Sequence, residues 1–334
     1  MKILAIESSC DDTAAAVVED GRKIISSMVS SQIDVHKIYG GVVPEVASRK
    51  HIENIAPLVQ AVMENANLKF GELDALAVTY APGLVGSLLV GVNFAKGLSI
   101  ATGLPIIPVH HIKAHIASLY ISNENLKPPF LCLVVSGGHS NILEVKDYTD
   151  IKTIGRTLDD AAGEAFDKVG RRLGFDYPGG VMLDKVANGG DPESFKLPIP
   201  LKNSENHYDF SFSGLKTAMI NIINKFNQKG ETLPKEDLSA SFRKSVVDCL
   251  VGNFILAAKN YGYKKLAVAG GVSANSLLRA TLLEECEKLG FEFFTPDLKY
   301  CGDNAAMVGS QGYYEFLKGK VADLNLNAKA SMKI

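Results

Sequence analysis

Lys2-Ile3-Leu4-Ala5-Ile6-Glu7, Ser8-Ser9-Cys10-Asp11-Asp12, Thr13-Ala14-Ala15-Ala16-Val17-Val18-Glu19 and Asp20-Gly21 open the chain. The first run reads as a buried strand, the second as a polar turn and the third as a second strand. Asp20-Gly21 is a hairpin signal that leads into a third strand near Lys23–Val29. The same order returns about 128 residues later. Phe130–Val135 is a buried strand, Ser136-Gly137-Gly138-His139-Ser140 a tight turn, and Asn141–Val145 a strand. Lys146 to Asp150 turns again, and Ile151–Arg156 continues as a third strand. The two copies share little identity, so the repeat is one of pattern, and it points to a duplicated α/β domain.

The intervening pattern agrees. Pro44 suits the first turn of a helix that carries Val46, Ile52, Ile55, Leu58, Val59, Val62 and Met63 at helical spacing. A strand at Leu73–Thr79, a helix at Leu84–Thr102, a strand at Leu104–Val109 and a helix at His111–Tyr120 follow. The second half has a Gly- and Pro-rich stretch at Tyr177-Pro178-Gly179-Gly180 and an irregular segment from Gly189 to Phe212. Helical patterns run over Ser213–Asn227 and Pro234–Tyr261, then a strand at Lys265–Ala269, a helix at Ser273–Leu289 and a short strand at Phe291–Phe294. A last helix starts after Gly302-Asp303-Asn304, and the polar tail from Val321 is expected to fray. The expected division is residues 1–128, residues 129–320 with helical insertions, and a flexible tail at 321–334.

Composition narrows the class. The chain has 334 residues, about two domains' worth, and is 46% hydrophobic and 22% charged, as globular proteins are. Lys+Arg 35 against Asp+Glu 37 leaves −2, which excludes a broadly basic nucleic-acid scaffold but not a local patch. The five cysteines (Cys10, Cys132, Cys249, Cys286, Cys301) are scattered without a CxxC, so a reducing cytoplasm is expected in place of a disulfide framework or zinc ribbon. The apolar start is too short for a signal segment, and the stretch Leu84 to Val109 is broken by Asn93, Lys96, Gly97, Gly103 and Pro105. A soluble protein with no membrane association is expected.

The densest chemical cluster is His110-His111-Ile112-Lys113-Ala114-His115. His111 and His115 stand at i and i+4 of a helix, so both imidazoles can reach one ion. The alternative is a pair of capping or surface histidines. Ile112 stands where HExxH has its Glu, so the general base of a zinc protease is missing. Tyr300-Cys301-Gly302-Asp303-Asn304 offers a third ligand in Asp303, or merely an N-cap for its helix.

Two glycine turns, Val135-Ser136-Gly137-Gly138-His139 and Ala269-Gly270-Gly271-Val272-Ser273-Ala274-Asn275, could admit a nucleotide to the backbone, though hairpins and βα loops use glycine routinely. Asp167, on the amphipathic helix around Ala161–Lys168, is either a site residue or a solvated one. Asp184 could hold a ribose hydroxyl or pair with Lys185. Tyr208-Asp209-Phe210-Ser211-Phe212-Ser213-Gly214-Leu215-Lys216 alternates aromatic and small residues, which suits either RNA stacking or core packing.

Taken in order, Lys96-Gly97, the run from Pro108 to His115, VSGGH at 135–139, AGEAFDK at 162–168, YPGG at 177–180, DFSFSGLKTA at 209–218, GGVSAN at 270–275 and Asp303-Asn304-Ala305-Ala306 closely resemble the bacterial tRNA N6-adenosine threonylcarbamoyltransferase family, once described as O-sialoglycoprotein endopeptidases. Ala81, before Pro82-Gly83, departs from the second glycine of many members. The resemblance implies an α/β fold of two actin-like lobes, each a mixed sheet flanked by helices, with a ligand cleft between them, as in actin, heat-shock chaperones and sugar kinases. It implies that His111, His115 and Asp303 bind one divalent metal, iron or zinc. It also implies that Val135, Ser136, Gly137, Gly138, His139, Asp167, Gly180, Asp184 and Asn275 contact an adenylate, with Mg²⁺ a further candidate beside the nucleotide. The implied reaction moves a threonylcarbamoyl group from threonylcarbamoyl-AMP to N6 of the adenosine 3′ of the anticodon, in tRNAs reading codons that begin with A. The implied partners are a shorter paralogous subunit of TsaB type and a small P-loop ATPase of TsaE type.

The chemistry is consistent with this. Adenosine N6 is a poor nucleophile, attack on a carbamoyl carbon builds charge on oxygen, and a metal with open positions stabilises that charge. AMP leaves readily, so no covalent enzyme nucleophile is needed. Asp11 is the candidate catalytic carboxylate, orienting the phosphate side or accepting a proton. A tRNA surface would draw on Lys168, Arg171, Arg172, Lys185, Lys216, Arg243, Lys244, Lys264 and Lys265, with partner subunits expected to supply much of the grip. An actin-like kinase or ATPase and a metalloprotease remain the competing readings.

Overall fold

The computed structural model describes residues 1–201 and 208–334. Residues 202–207, inside the stretch read as irregular, lie outside the described residues. The elements follow as β1 (Lys2–Glu7), β2 (Asp12–Glu19), β3 (Lys23–Ser31), α1 (Ile33–Lys37), α2 (Pro44–Ala66), β4 (Ala75–Ala81), α3 (Val85–Thr102), β5 (Ile106–His110) and α4 (His111–Ser122). Then come β6 (Phe130–Val135), β7 (Ser140–Val145), β8 (Ile151–Arg156), α5 (Ala162–Arg172), α6 (Gly179–Val186), α7 (Ser213–Lys229), α8 (Lys235–Tyr261), β9 (Lys265–Ala269), α9 (Ser276–Leu289), β10 (Glu292–Phe294) and α10 (Ala305–Leu317).

Two compact units result. The first comprises Met1–Pro128, Val145–Ile151 and Pro296–Ile334, the second Pro129–Glu144 and Lys152–Thr295. The strand order is β3-β2-β1-β4-β5 in the first sheet and β8-β7-β6-β9-β10 in the second, the same order twice. The pattern repeat of the sequence is thus a repeat of topology. In the first sheet β1 runs antiparallel to β2 and parallel to β4. In the second, β9 is parallel to both β6 and β10. Asp20 and Gly21 turn the β2–β3 hairpin with φ of 51° and 71°, the left-handed geometry the Asp-Gly pair favours.

A helical layer covers each face of the first sheet, which is why β1 is apolar at nearly every position. Leu4 and Ile6 pack with Ile55, Val59 and Val62 of α2 and Val92 of α3. Ile3 and Ala5 pack with Ala305, Ala306, Met307 and Val308 of α10. Hence the sequence-based boundary at 320 does not match the division seen here. The last helix belongs to the first unit, because that sheet needs a cover on its second face. α3 is long and apolar enough to cross a membrane by length and composition alone. In this fold it is the crossover between parallel β4 and β5, burying Leu88, Val92 and Ala95.

The tail is not frayed. Ala322 bridges Ile106, the Lys329 N–H donates to the Tyr80 carbonyl, and the Gly83 N–H donates to the Ala330 carbonyl. The polar composition that suggests fraying instead reflects a segment held by backbone hydrogen bonds with its side chains largely outward.

Arg22 clamps the end of α4. Its guanidinium donates to the carbonyls of Tyr120 (3.0 Å), Asn123 (3.1 Å), Glu124 (3.2 Å) and Leu126 (2.9 Å), in the last turn of α4 and the loop that follows it. Removing these charge-assisted bonds in Arg22→Met is expected to cost about 2 kcal/mol, read as a lower urea midpoint at an unchanged slope. A midpoint equal to that of the parent protein would refute the clamp.

Candidate metal centre and nucleotide pocket

β5 ends at His110, and α4 begins at His111. The His110 Nδ1 accepts the Ile112 N–H (3.2 Å) and so caps the helix. The cap is thus His110, and His111 and His115 are both buried, so neither is a capping or a surface histidine. Their rings stand 4.6 Å apart, near-perpendicular at 73°. At the start of α10 the N-cap is Asn304, whose Oδ1 accepts the Met307 N–H (2.9 Å). Asp303 is thereby released from capping. Its Oδ1 lies 3.3 Å from His115 Nε2 and 3.7 Å from His111 Nε2. One donor atom from each of these three residues falls within 4.8 Å of the others.

His115 is fully buried, yet neither ring nitrogen has a hydrogen-bond partner among the described residues. A buried polar atom left unpaired is costly, so this one fits an ion that would complete it. Two imidazoles and a carboxylate leave coordination positions open, the donor set of a metal that acts on substrate. The electrostatics favour positive charge here as well. Burial would lower the His111 imidazole, but Asp303 and Glu7 push it up to about 9. Burial would raise the Glu7 carboxyl, but the His111 charge and hydrogen bond hold it below its ordinary value.

Asp11 lies in the turn between β1 and β2, outside the three-residue cluster. Its neighbour Asp12 was not singled out from the sequence by itself. Burial pushes the Asp12 carboxyl up to about 7. Nothing in the local sequence distinguishes it, because the surroundings that raise its carboxyl are set by the fold.

In the second unit, a cavity of about 270 Å³ is lined by Gly137, Gly163, Phe166, Asp167, Pro178, Gly180, Val181, Asp184, Gly271, Val272, Ala274 and Asn275. Five of the expected adenylate contacts, Gly137, Asp167, Gly180, Asp184 and Asn275, line it. Val135, Ser136, Gly138 and His139 are not among these lining residues. Val135 is instead a wholly buried strand residue. Asp167 and Asp184 are not idle helix-surface acids. Asp167 Oδ1 accepts the Gly180 N–H (2.8 Å), tying α5 to α6. Asp184 Oδ1 accepts from Arg243 Nη1 (2.9 Å) and Asn275 Nδ2 (2.9 Å), and its Oδ2 accepts the Ser276 N–H (3.1 Å). Gly270 sits at φ 91° against the Val135 carbonyl, and a Cβ at Gly163 would come within 2.6 Å of the Ser136 carbonyl oxygen. The glycines are thus demanded by close backbone approach.

Other expectations fare differently. Phe210 and Phe212 are fully buried, so they pack in the core and do not stack on RNA. Arg243 is buried on Asp184, Lys216 pairs with Asp160, Lys168 with Asp160 and Glu164, and Lys244 with Asp248 and Glu193. These four cations are engaged within the second unit, which weakens the basic patch drawn from the sequence. All five cysteines are free thiols.

A profile of the TsaD family, tRNA N6-adenosine threonylcarbamoyltransferase, matches residues 23–310. The chain belongs to this family. Enzymes of that name from Clostridium botulinum (strain Kyoto) and Clostridium novyi are each 52% identical to it over 334 residues, spanning 100% of this chain and 98% of theirs. The activity is therefore that of a tRNA N6-adenosine threonylcarbamoyltransferase, and tRNA is its substrate. The kinase and protease readings give way to it. Among solved structures, HypF from T. kodakarensis is similar with a TM-score of 0.63 at 15% identity, over 97% of this chain and 49% of that one. The ROK hexokinase from Thermus thermophilus is similar with a TM-score of 0.50 at 16% identity, over 96% and 100%. Likenesses at such identity concern the fold alone, and they agree with the actin-like α/β architecture of the threonylcarbamoyltransferase family.

Proposed function

We propose that this transferase takes its threonylcarbamoyl group from threonylcarbamoyl-AMP and delivers it to N6 of the adenosine 3′ of the anticodon, in tRNAs reading codons that begin with A. One observation carries the reading: Asp303, far away in sequence, converges on the helical pair His111 and His115, and both His115 nitrogens are unpaired among the described residues. Residues of this kind would hold one divalent cation, iron or zinc. When bound, such an ion polarises the carbamoyl carbonyl and stabilises the charge that grows on its oxygen.

The remaining work falls to the chain's own groups. The pocket of the second unit suits the nucleoside part of the donor. Phe166, Val181 and Val272 offer apolar contact to a base, and Asp184, fixed by Arg243 and Ser276, and Asn275, which donates to Asp184, offer polar atoms to a ribose. Asp11 is the candidate for orienting the phosphate side, directly or through Mg²⁺, or for taking the N6 proton. The leaving group is AMP, so the reaction needs no nucleophile from the protein.

The tRNA grip is proposed to come largely from partners, a shorter paralogous subunit and a small P-loop ATPase, because four of the candidate cations are engaged within the second unit. A cytoplasmic location goes with that substrate. The test is a reconstituted transfer assay with synthetic threonylcarbamoyl-AMP, unmodified tRNA and the partner proteins. Asp184→Ala is expected to raise the donor KM about tenfold or more, the worth of a lost charge-assisted contact. Transfer that proceeds from free threonine and ATP without the adenylate, or an Asp184→Ala enzyme with an unchanged donor KM, would overturn the assignment.

A further inference from the structure

Glu7 ends β1 as a fully buried carboxylate after the apolar run Ile3 to Ile6, and the reaction as described leaves it without a task. Burying a charge there is expensive unless every oxygen is satisfied. Both oxygens are. Oε1 accepts the Ser9 N–H (2.6 Å), and Oε2 accepts the Thr79 hydroxyl (2.7 Å). Oε2 also lies 3.2 Å from His111 Nδ1, which is 3.1 Å from the Ser9 hydroxyl. The opposite nitrogen of the same ring, Nε2, faces Asp303 Oδ1 at 3.7 Å.

We infer that Glu7 is the positioning residue of the metal centre. It accepts the Nδ1 proton of His111, which fixes the imidazole tautomer and turns the Nε2 lone pair toward Asp303 and His115. This rests on the metal reading above. Thr79 and Ser9 hold the carboxylate so that its acceptor oxygen meets Nδ1, and because strands β1 and β4 are paired in register beneath the site, the orientation is built on the rigid sheet. Glu7 does not itself ligate the ion; it is not among the three converging ligands. His115 has no equivalent support, since its Nδ1 is unpaired among the described residues. His111 is thus the oriented ligand of the pair.

The substitution Glu7→Gln separates orientation from mere packing, because it keeps the volume and removes the charge. Its amide must place an NH₂ either at the Oε1 position, against the Ser9 N–H, or at the Oε2 position, against the Thr79 hydroxyl and His111 Nδ1. In the second case it donates to Nδ1, moves the ring proton to Nε2 and blocks ligation. The experiment uses the full chain and cobalt(II) as probe, with affinity from chelator competition, the d–d absorption of the bound ion, and thermal unfolding of the metal-free protein.

Glu7→Gln is expected to bind cobalt about 10- to 100-fold more weakly, with an altered visible spectrum, and Glu7→Asp is expected to recover part of the affinity. If Glu7→Gln fails to fold, Thr79→Val, which removes a supporting hydroxyl at near-equal volume, is expected to weaken cobalt binding severalfold while unfolding cooperatively. Parent-like affinity and spectrum in Glu7→Gln, or in Thr79→Val should the former not fold, would show that Glu7 serves packing only. A parent protein that binds no cobalt, or whose binding is indifferent to His111→Ala, would remove the metal reading itself and this inference with it.

Discussion

His111→Ala should purify with less than about a tenth of a metal equivalent per chain and transfer threonylcarbamoyl to tRNA about a thousandfold more slowly, since Lewis-acid stabilisation of a growing oxyanion is worth several kcal/mol. The expectation follows from a count of donors. Three side chains meet, and removal of one leaves a single imidazole and a carboxylate, too few to retain a divalent ion against a chelator. His110→Ala is the control one residue away. His110 caps α4, and its other ring nitrogen, Nε2, lies 3.3 Å from the Met332 carbonyl, so its loss should cost helix stability and leave the metal content intact. Elemental analysis of both proteins decides the matter. Equal metal content in His111→Ala and the parent would show that the cluster is not the binding site.

Gly270→Ala should destabilise the second unit by about 3 kcal/mol or more, from a strained left-handed backbone together with a steric clash. Gly270 has φ 91°, and a Cβ there would run into the carbonyl of Val135 on the neighbouring strand β6. Backbone on both sides leaves nothing flexible to yield. Because the following residues Gly271, Val272, Ala274 and Asn275 line the pocket, the variant should also lose affinity for adenylates. Gly271→Ala provides the comparison, since a Cβ at Gly271 meets nothing within 4 Å. Calorimetric unfolding of the two variants should therefore diverge, with Gly270→Ala melting well below Gly271→Ala. Coincident transitions would mean that the β6–β9 contact can relax.

The two glycines illustrate what local sequence can and cannot say. Gly270-Gly271 after a strand is legible as a turn with room for a ligand, yet which glycine is obligatory depends on a strand more than a hundred residues away. Asp303 and Asn304 present the same problem at the start of α10. Either could cap the helix by type, and only the hydrogen bond from Met307 to Asn304 assigns that role to Asn304. Arg243 reads as a surface cation by composition, but the fold buries it behind Asp184. Each of these choices depends on partners distant in sequence, and no local window contains them.

From the order of its residues alone this chain specified two copies of one strand arrangement, the helix that holds two histidines one turn apart, and the ordered motifs that mark a tRNA-modifying family. Those features are local: strand alternation, hairpin dipeptides and helical spacing are set within a few residues of each other. Tertiary structure decided the rest. It sent α10 back to cover the first sheet, because that sheet had a second apolar face to bury. It thereby carried Asp303 to His111 and His115, and left Glu7 beneath them as the buried acceptor for the ring proton.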